Sequence, residues 1–352
     1  MAKTIDLTGT WSWAISEKAC LNACSLADLE SQGLSIRPCQ VPGCLETDLH
    51  AAGLIGDPFV GLNILEVQAY EEHHVYYALS FEVDAADRDA EAHLVFEGLD
   101  CFADIWLNGE QVGSAANMLV EHRFPVTGRL REHNELFVHI RPAVIEARRH
   151  DYPTGLRTKR VNYEGLRVRK APHMFGWDIM PRAVSAGIWR PVRIEFLPEA
   201  RLKSLHLETL SIAEDKSVAT LMLFYDLDIP SVSKSRYMLE LNGRCGSSCT
   251  SVSQEVGFRA GCVEISVDSP CLWWPRGSGS AELYEVEVTL LCDGEPVDTR
   301  RFKHGIRQVQ LVRTDVTDKD GSGEFYFRVN GEKIFIKGTN WVPADAFHWR
   351  DR

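Results

Sequence analysis

Short stretches in which hydrophobic and polar residues alternate recur along most of the chain. In PVRIEFL, Val192, Ile194 and Phe196 would face one side, and the two charged residues between them the other. The same period of two runs through CVEISVD (262–268). Successive side chains of a strand point to opposite faces, so this pattern predicts half-buried β-strands. Its repetition between turn signals favours antiparallel β-sandwiches.

Asn-Gly or Asp-Gly dipeptides lie between these stretches at 108–109, 242–243, 293–294 and 330–331. Both residues of such a pair tolerate positive φ, which the tight turn of a two-residue hairpin requires. The sequence therefore predicts a β-hairpin at each of the four positions.

Helical patterns are scarce and lie near the N-terminus. SLADLESQG (25–33) begins with Ser25, has Asp28 three residues later and ends in glycine, which is the signature of a capped short helix. TDLHAAG (47–53) is a shorter version of the same pattern. Both segments are expected to decorate a sheet protein.

The strand pattern divides the chain into three predicted parts. Residues 1–197 form the first sandwich, and Pro-Glu-Ala-Arg at 198–201 interrupts the pattern. Residues 198–304 have the size of an immunoglobulin-like domain. Residues 305–352 begin a third unit, in which a hairpin is followed by a strand that ends in polar and aromatic residues.

Net charge and hydropathy limit the classes of partner that this chain can bind. The formal net charge of −12 argues against nucleic acid, because phosphate binding needs a basic surface. No stretch approaches the roughly 18 apolar residues of a membrane span, so no membrane partner is expected. The first residues lack the apolar core of a signal peptide, and a cytoplasmic location is expected.

The ten cysteines include two C-x3-C pairs, Cys20 with Cys24 and Cys245 with Cys249. A zinc site needs two such pairs together, or one pair with histidines, in a compact module. These pairs lie far apart in strand-rich segments. We therefore expect reduced thiols, with no metal and no cofactor.

One segment departs from the strand pattern. Residues 141–170 carry nine basic residues against three acidic ones and lack a clean alternation. A long ordered loop in a compact domain is uncommon and is often functional. The alternative is a solvated basic surface.

Seven segments of this sequence together resemble the N-terminal half of the enzymes of glycoside hydrolase family 2, most closely its β-mannosidases. They run in the order of the family and span nearly the whole chain. The segments are VPGCLETDLHAAGLIGDPFVGLN (41–63), FEGLDCFADIWLNGEQVGSAANM (96–118), RKAPHMFGWDIMPR (169–182), GIWRPVRIE (187–195), LWWPRGSGSAELYEVEV (272–288), HGIRQVQL (304–311) and KGTNWVPADAF (337–347).

The resemblance implies a mainly β architecture. A jelly-roll, galactose-binding-like sandwich would be followed by an immunoglobulin-like sandwich and then by the start of a (β/α)8 barrel. KGTNW (337–341) is similar to the first strand of that barrel. A complete barrel takes roughly 250 residues, and residues 305–352 are far fewer. The resemblance thus implies a truncated barrel, whose missing part in the same polypeptide would be a partner of this chain.

The resemblance also implies a reaction, the retaining hydrolysis of terminal β-D-mannose residues from oligosaccharides. In such enzymes one glutamate protonates the leaving oxygen and a second attacks the anomeric carbon, with the carboxyl groups about 5–5.5 Å apart. In the family both lie on later barrel strands. The sole Asn-Glu pair here, Asn134-Glu135, is predicted to enter a sandwich strand through an ordinary turn. We therefore expect no catalytic residue in this chain, which alone would be inactive.

Residues of the substrate pocket are implied at two places. Asp178 would accept hydrogen bonds from sugar hydroxyls, and Trp177 would supply an apolar wall for a pyranose ring. The alternative is a loop aspartate that caps local amides beside a buried tryptophan. Asn340 and Trp341 would line the pocket floor, although Trp341 could instead pack inside the barrel.

Arg169 and Lys170 are similar to the basic pair that precedes this loop in the family. They could orient Asp178 or anchor the loop through ion pairs. The sequence departs from the β-mannosidase pattern just after Asp178, where Ile179-Met180 stand in place of a tryptophan and a glycine. This change leaves β-glucosaminidase, β-galactosidase or β-glucuronidase activity as alternatives, beside a non-catalytic carbohydrate-binding protein.

Overall fold

The computed structural model describes residues 3–153, 163–230, 234–315 and 319–350. The chain forms two compact units. The N-terminal unit comprises Lys3–Leu197 together with residues 341–350, and the C-terminal unit comprises Pro198–Asn340. The change of unit after Leu197 falls where the strand pattern is interrupted, while a separate third part from residue 305 stays a prediction.

The strands of the N-terminal unit form two antiparallel sheets. One has the order β1-β10-β5-β8 and the other β3-β2-β4-β9-β6-β7. Their bounds are β1 (Thr4–Asp6), β2 (Gly9–Ser16), β3 (Arg37–Val41), β4 (His74–Glu82), β5 (Ala92–Phe96), β6 (Phe102–Leu107), β7 (Glu110–Ala116), β8 (His122–Pro125), β9 (His133–Arg141) and β10 (Val192–Phe196).

The main core of this unit contains side chains from both sheets. Val192 and Ile194 of β10 are fully buried, as their alternation predicts. Leu136, Val138 and Ile140 of β9 join the same core. The larger sheet also buries its other face, where a second, smaller core includes residues of the covering segment 20–36. The first sandwich is therefore a galactose-binding-like double sheet with an additional layer.

In the described part of this unit, three short α-helices accompany the sheets: α1 (Leu26–Ser31), α2 (Leu45–Ala51) and α3 (Ala143–Arg148). The Ser25 side chain caps α1 by accepting a hydrogen bond from the Asp28 amide, which confirms the predicted cap. Helix α2 begins two residues before the predicted segment. Short 3-10 helices cover Asn63–Tyr70, Ala85–Asp87, Tyr163–Leu166, Pro172–Phe175 and His348–Arg350.

The basic segment 141–170 was expected to be one long loop, and this was partly wrong. Its first turn forms helix α3, because Ala143, Val144 and Ala147 provide an apolar face that is buried. The 3-10 helix Tyr163–Leu166 lies near its end. Residues 154–162 lie outside the described part of the chain.

The C-terminal unit contains an immunoglobulin-like sandwich with its own core. Its sheets have the orders β11-β12-β15 and β14-β13-β16-β17, and a further antiparallel sheet has the order β18-β19-β20. The bounds are β11 (Arg201–Ile212), β12 (Val218–Asp228), β13 (Tyr237–Cys245), β14 (Ser248–Glu255), β15 (Ala260–Asp268), β16 (Tyr284–Cys292), β17 (Glu295–His304), β18 (Val309–Arg313), β19 (Phe325–Val329) and β20 (Glu332–Ile334).

Three of the four predicted hairpin turns are confirmed. The dipeptides at 108–109, 293–294 and 330–331 have positive φ at both residues and connect consecutive strands. The prediction at Asn242-Gly243 is wrong, because both residues lie within β13 and pair with strands on each side. The turn between β13 and β14 instead uses Gly246, which has a φ of 56°.

After β20 the described chain runs to residue 347 without a strand assignment. A strand is defined by a hydrogen-bonded neighbour, and KGTNW (337–341) pairs with none in the described residues. Its role as a first barrel strand stays a prediction, and the architecture ends without barrel closure.

None of the ten cysteines forms a disulfide bond. Within the described ranges, no three His, Cys, Asp or Glu residues are grouped so that they could hold a metal ion. Across the same ranges, none of the helices combines the length and apolar character needed to cross a membrane.

Candidate functional site

The loop that carries Trp177 and Asp178 forms a closed four-residue turn. Trp177 and Met180 exchange two backbone hydrogen bonds, of 3.1 and 3.3 Å. The 3-10 helix Pro172–Phe175 leads into the turn and ends at Gly176, whose φ of 99° lets the chain change direction. A defined backbone thus places Asp178 and Ile179 at the tip.

The tip presents polar and apolar groups to solvent together. Trp177 is 45% exposed, and Asp178 and Ile179 are exposed as well. An ionised carboxylate only accepts hydrogen bonds, so it suits the hydroxyl donors of a sugar. An indole ring supplies an apolar face beside it. This combination can bind a pyranose ring by one edge and one face.

Arg182 holds the base of this turn. Its guanidinium Nε and Nη2 lie 3.0 and 2.8 Å from Glu71 carboxylate oxygens, and Nη2 lies 2.9 Å from Glu164. The same group lies over the Phe175 ring. Burial acts to lower the pKa of Arg182, but its pairs with the two glutamates outweigh burial and raise it. The turn is therefore tied to the sandwich by a charge that stays ionised.

A second arginine extends this ion-pair network. Arg148 of α3 bonds both Glu164, at 2.8 Å, and Glu72. The backbone carbonyl of Arg182 also accepts a hydrogen bond from the Gln68 side chain. Sequence reasoning assigned no role to Arg182 or to these glutamates. The one local signal was Arg182 itself, the last residue of RKAPHMFGWDIMPR (169–182). Its three acidic partners in the network lie up to 111 residues away in sequence.

The predicted basic pair is divided between two environments. Lys170 is buried, with Nζ 2.5 Å from both carboxylate oxygens of Asp100 and 2.8 Å from the Ser185 carbonyl. Arg169 is exposed, and its carbonyl accepts a hydrogen bond from the Met118 amide. Lys170 thus anchors the start of the loop to the core.

Two further acids are buried in the same sandwich. Glu46 accepts a 2.6 Å hydrogen bond from the Ser185 hydroxyl, and Asp48 accepts one of 3.3 Å from Tyr77. Burial raises the pKa of Glu46 and raises that of Asp48 to about 8. Helix α2 therefore carries two carboxyl groups whose pKa values burial raises, that of Asp48 to about 8.

The other two predicted pocket residues lie at the end of the polar segment after β20. Asn340 and Trp341 are both exposed, and the Trp341 side chain is 86% exposed. Asn340 belongs to the C-terminal unit, whereas Trp341, Trp177 and Asp178 belong to the N-terminal one. An exposed indole is available for contact with a ligand or with further protein.

Glu135 and two further carboxylates, Glu332 and Asp345, have structural partners. Glu135 accepts a 2.8 Å hydrogen bond from the Leu26 amide at the start of α1. Glu332 forms an ion pair with Lys216, and Asp345 with Arg350. These contacts assign each of the three acids to local architecture.

A galactose-binding-like sandwich is followed along this chain by an immunoglobulin-like sandwich. The chain belongs to glycoside hydrolase family 2. Residues 24–190 match the model of the glycosyl hydrolase 2 galactose-binding domain-like family, and residues 228–307 match that of glycosyl hydrolases family 2.

Among curated relatives, the β-mannosidase B of Aspergillus clavatus is 34% identical over 315 residues, and that of Aspergillus terreus 35% over 318. Each alignment covers 87% of this chain and 36% of the relative. The chain thus spans about a third of the length of these relatives.

Among solved structures, the β-D-mannosidase of Dictyoglomus thermophilum is 29% identical with a TM-score of 0.83, over 99% of this chain and 41% of that one. The β-glucuronidase of Bifidobacterium dentium is 20% identical with a TM-score of 0.63, over 96% and 51%. The latter likeness shows the shared fold alone.

Proposed function

We propose that this chain is the N-terminal portion of a retaining exo-β-mannosidase that hydrolyses terminal β-D-mannose residues of oligosaccharides. The similarity to fungal β-mannosidase B supports the mannosidase assignment within the family. The observation that carries the proposal is the closed turn that exposes Trp177 and Asp178 on a braced base.

In this proposal Asp178 accepts hydrogen bonds from hydroxyls of the mannose being cleaved, and Trp177 covers one face of its ring. Trp341 lines the floor of that pocket, Asn340 directly precedes it in the chain, and Arg169 and Lys170 support the loop. The two catalytic glutamates belong to a (β/α)8 barrel later in the same polypeptide. The 352-residue chain is consequently inactive alone, and the enzyme is cytoplasmic.

The test uses the longer polypeptide with a panel of nitrophenyl β-glycosides. We expect β-mannoside to be the preferred substrate over β-glucosaminide, β-galactoside and β-glucuronide. Asp178→Asn should lower kcat/KM on the order of 100-fold, because hydrogen bonds to a charged group contribute about 1.5–3 kcal/mol each. The matched control is Asp89→Asn, at an exposed aspartate of the same sandwich.

Preference for another glycoside in this panel would replace the mannosidase assignment by another activity of the family. Unchanged kcat/KM in Asp178→Asn would remove Asp178 from the site. The non-catalytic alternative is tested by calorimetry of the 352-residue chain with mannose and mannobiose, for which strong binding without any associated hydrolase would favour a carbohydrate-binding protein.

A further inference from the structure

The last described residues form a short turn that is stabilised by hydrogen bonds and an ion pair within it. The Asp345 carboxylate accepts a 3.0 Å hydrogen bond from the Phe347 amide and lies 3.3 Å from the Arg350 guanidinium. The Arg350 amide donates a 3.1 Å hydrogen bond to the Phe347 carbonyl. We call Asp345–Arg350 the clasp, and it follows four residues after Trp341.

Phe347 inserts the clasp into the first sandwich. Its side chain is fully buried and belongs to the main core of the N-terminal unit. The ring meets Phe59 edge to face at 5.4 Å, and the Arg350 guanidinium lies over the Phe59 ring at 4.1 Å. A buried aromatic ring contributes a large apolar area, so this residue is the anchor of the clasp.

His348 connects the clasp to the base of the Trp177–Asp178 turn. Its ring lies 4.8 Å from that of Trp189 and 6.0 Å from that of His173. His173 is part of the 3-10 helix that leads directly into the turn. His348 and Met174 of the same helix also line one small internal cavity.

Connectivity places a limit on Trp341. Five residues lie between it and the anchor Phe347, so even a fully extended segment keeps its Cα within roughly 20 Å of that of Phe347. A docked clasp therefore confines Trp341 to the neighbourhood of the first sandwich.

We propose that Phe347 and His348 are positioning residues, which dock the segment after Trp341 onto the base of the Trp177–Asp178 turn. Phe347 supplies the anchor, and His348 packs on the helix that presents the turn. The part of this inference that concerns a sugar pocket rests on the proposed function, while the docking itself does not.

Hydrogen exchange on the 352-residue chain tests the docking directly. The reporters are the amides of Gly176, Trp177 and Ala183, each of which donates a backbone hydrogen bond of 3.0–3.1 Å in or beside the turn. In Phe347→Ala and His348→Ala we expect these amides to exchange on the order of tenfold faster or more, because local opening becomes easier. His348→Phe retains a ring against the two aromatic neighbours and should restore slow exchange.

Phe124→Ala is the matched control. Phe124 is a largely buried phenylalanine of the same core, on β8, and its ring contacts are with Phe96 and His122. It should lower the denaturation midpoint while the three reporter amides keep their rates relative to the rest of the sandwich. His348→Ala removes a half-buried side chain, which keeps the test informative if Phe347→Ala fails to fold.

Unchanged reporter amides in both clasp variants would overturn the inference, as would equal acceleration in Phe124→Ala. The result does not depend on catalysis. Loss of protection in the clasp variants, together with inactivity of the longer wild-type polypeptide on β-mannosides, would reject the proposed function and leave the docking intact. Mannosidase activity of the longer polypeptide with unaffected amides in the clasp variants would reject the docking and leave the proposed function intact.

Discussion

Lys170 and Asp100 form a buried ion pair at the start of the loop, with Nζ 2.5 Å from both carboxylate oxygens. Attraction between such charges is offset by the cost of removing them from water. A buried pair is therefore weak evidence of net stability, but each partner depends on the other. The contact fixes where the loop departs from the core.

Replacement of Lys170 by methionine should lower the free energy of unfolding by about 3–5 kcal/mol, because Asp100 is left as an uncompensated buried acid. Lys170→Met with Asp100→Asn should recover much of this loss. Urea unfolding of both variants measures the difference. Arg236→Met, which breaks an exposed ion pair with Glu255, is the control and should cost less than about 1 kcal/mol.

A second prediction concerns Asp48, whose pKa burial raises to about 8. The folded state keeps this proton while the unfolded state releases it near pH 4. The contribution to stability is thus complete below about pH 4 and is lost as the pH rises towards 8. Urea midpoints should therefore fall with pH more steeply in the wild type than in Asp48→Asn.

Between pH 5 and 8 the difference in unfolding free energy should shift in favour of Asp48→Asn by about 3–4 kcal/mol. Asp89→Asn, at an exposed site, should leave the pH dependence unchanged. Parallel curves for the wild type and Asp48→Asn would show that Asp48 is already ionised in the folded protein.

At the scale of single elements, the Trp177–Asp178 turn shows what a sequence can and cannot indicate. The residues that present chemistry were named from the segment that contains them. The ion pairs of Arg182 with Glu71 and Glu164 were not predicted, because these residues meet only after strands far apart in sequence have paired. Charge pairing over such distances has no local pattern.

The prediction of a hairpin at Asn242-Gly243 was wrong for a related reason. The dipeptide permits positive φ but does not require it, and two neighbouring strands pair with it on either side. Gly243 faces Thr250, where an added Cβ would lie 3.2 Å from the Thr250 side chain. Here the glycine supplies space between strands, which a turn rule does not detect.

Gly176, which directly precedes the turn, should not tolerate a side chain. Its φ of 99° is a conformation that residues with a Cβ rarely adopt, although an added Cβ has space 3.5 Å from Arg182. Gly176→Ala should therefore destabilise the N-terminal unit by about 1–3 kcal/mol through backbone strain. Thermal unfolding measures this. Gly257→Ala, at an exposed position with no positive φ, is the control, and an equal loss there would contradict the strain argument.

At the scale of the whole molecule, the period of two sufficed to predict two sandwiches, because half-buried sheets impose it on every strand. The clasp could not be predicted, since Phe347 follows a segment without periodicity and contacts residues such as Phe59 that lie far earlier in the chain. The same limit applies to Asn340 and Trp341, whose role as pocket floor depends on protein outside this chain in the proposed enzyme.

In the proposed enzyme, these sandwiches carry part of a mannoside pocket but not the catalytic carboxylates. The most direct test is turnover of nitrophenyl β-mannoside by the purified 352-residue chain, beside the longer polypeptide at equal molar concentration. We predict hydrolysis by the longer polypeptide alone. Turnover by the 352-residue chain that a substitution within it abolishes would contradict the account, because a catalytic acid would then lie among the residues described as structural.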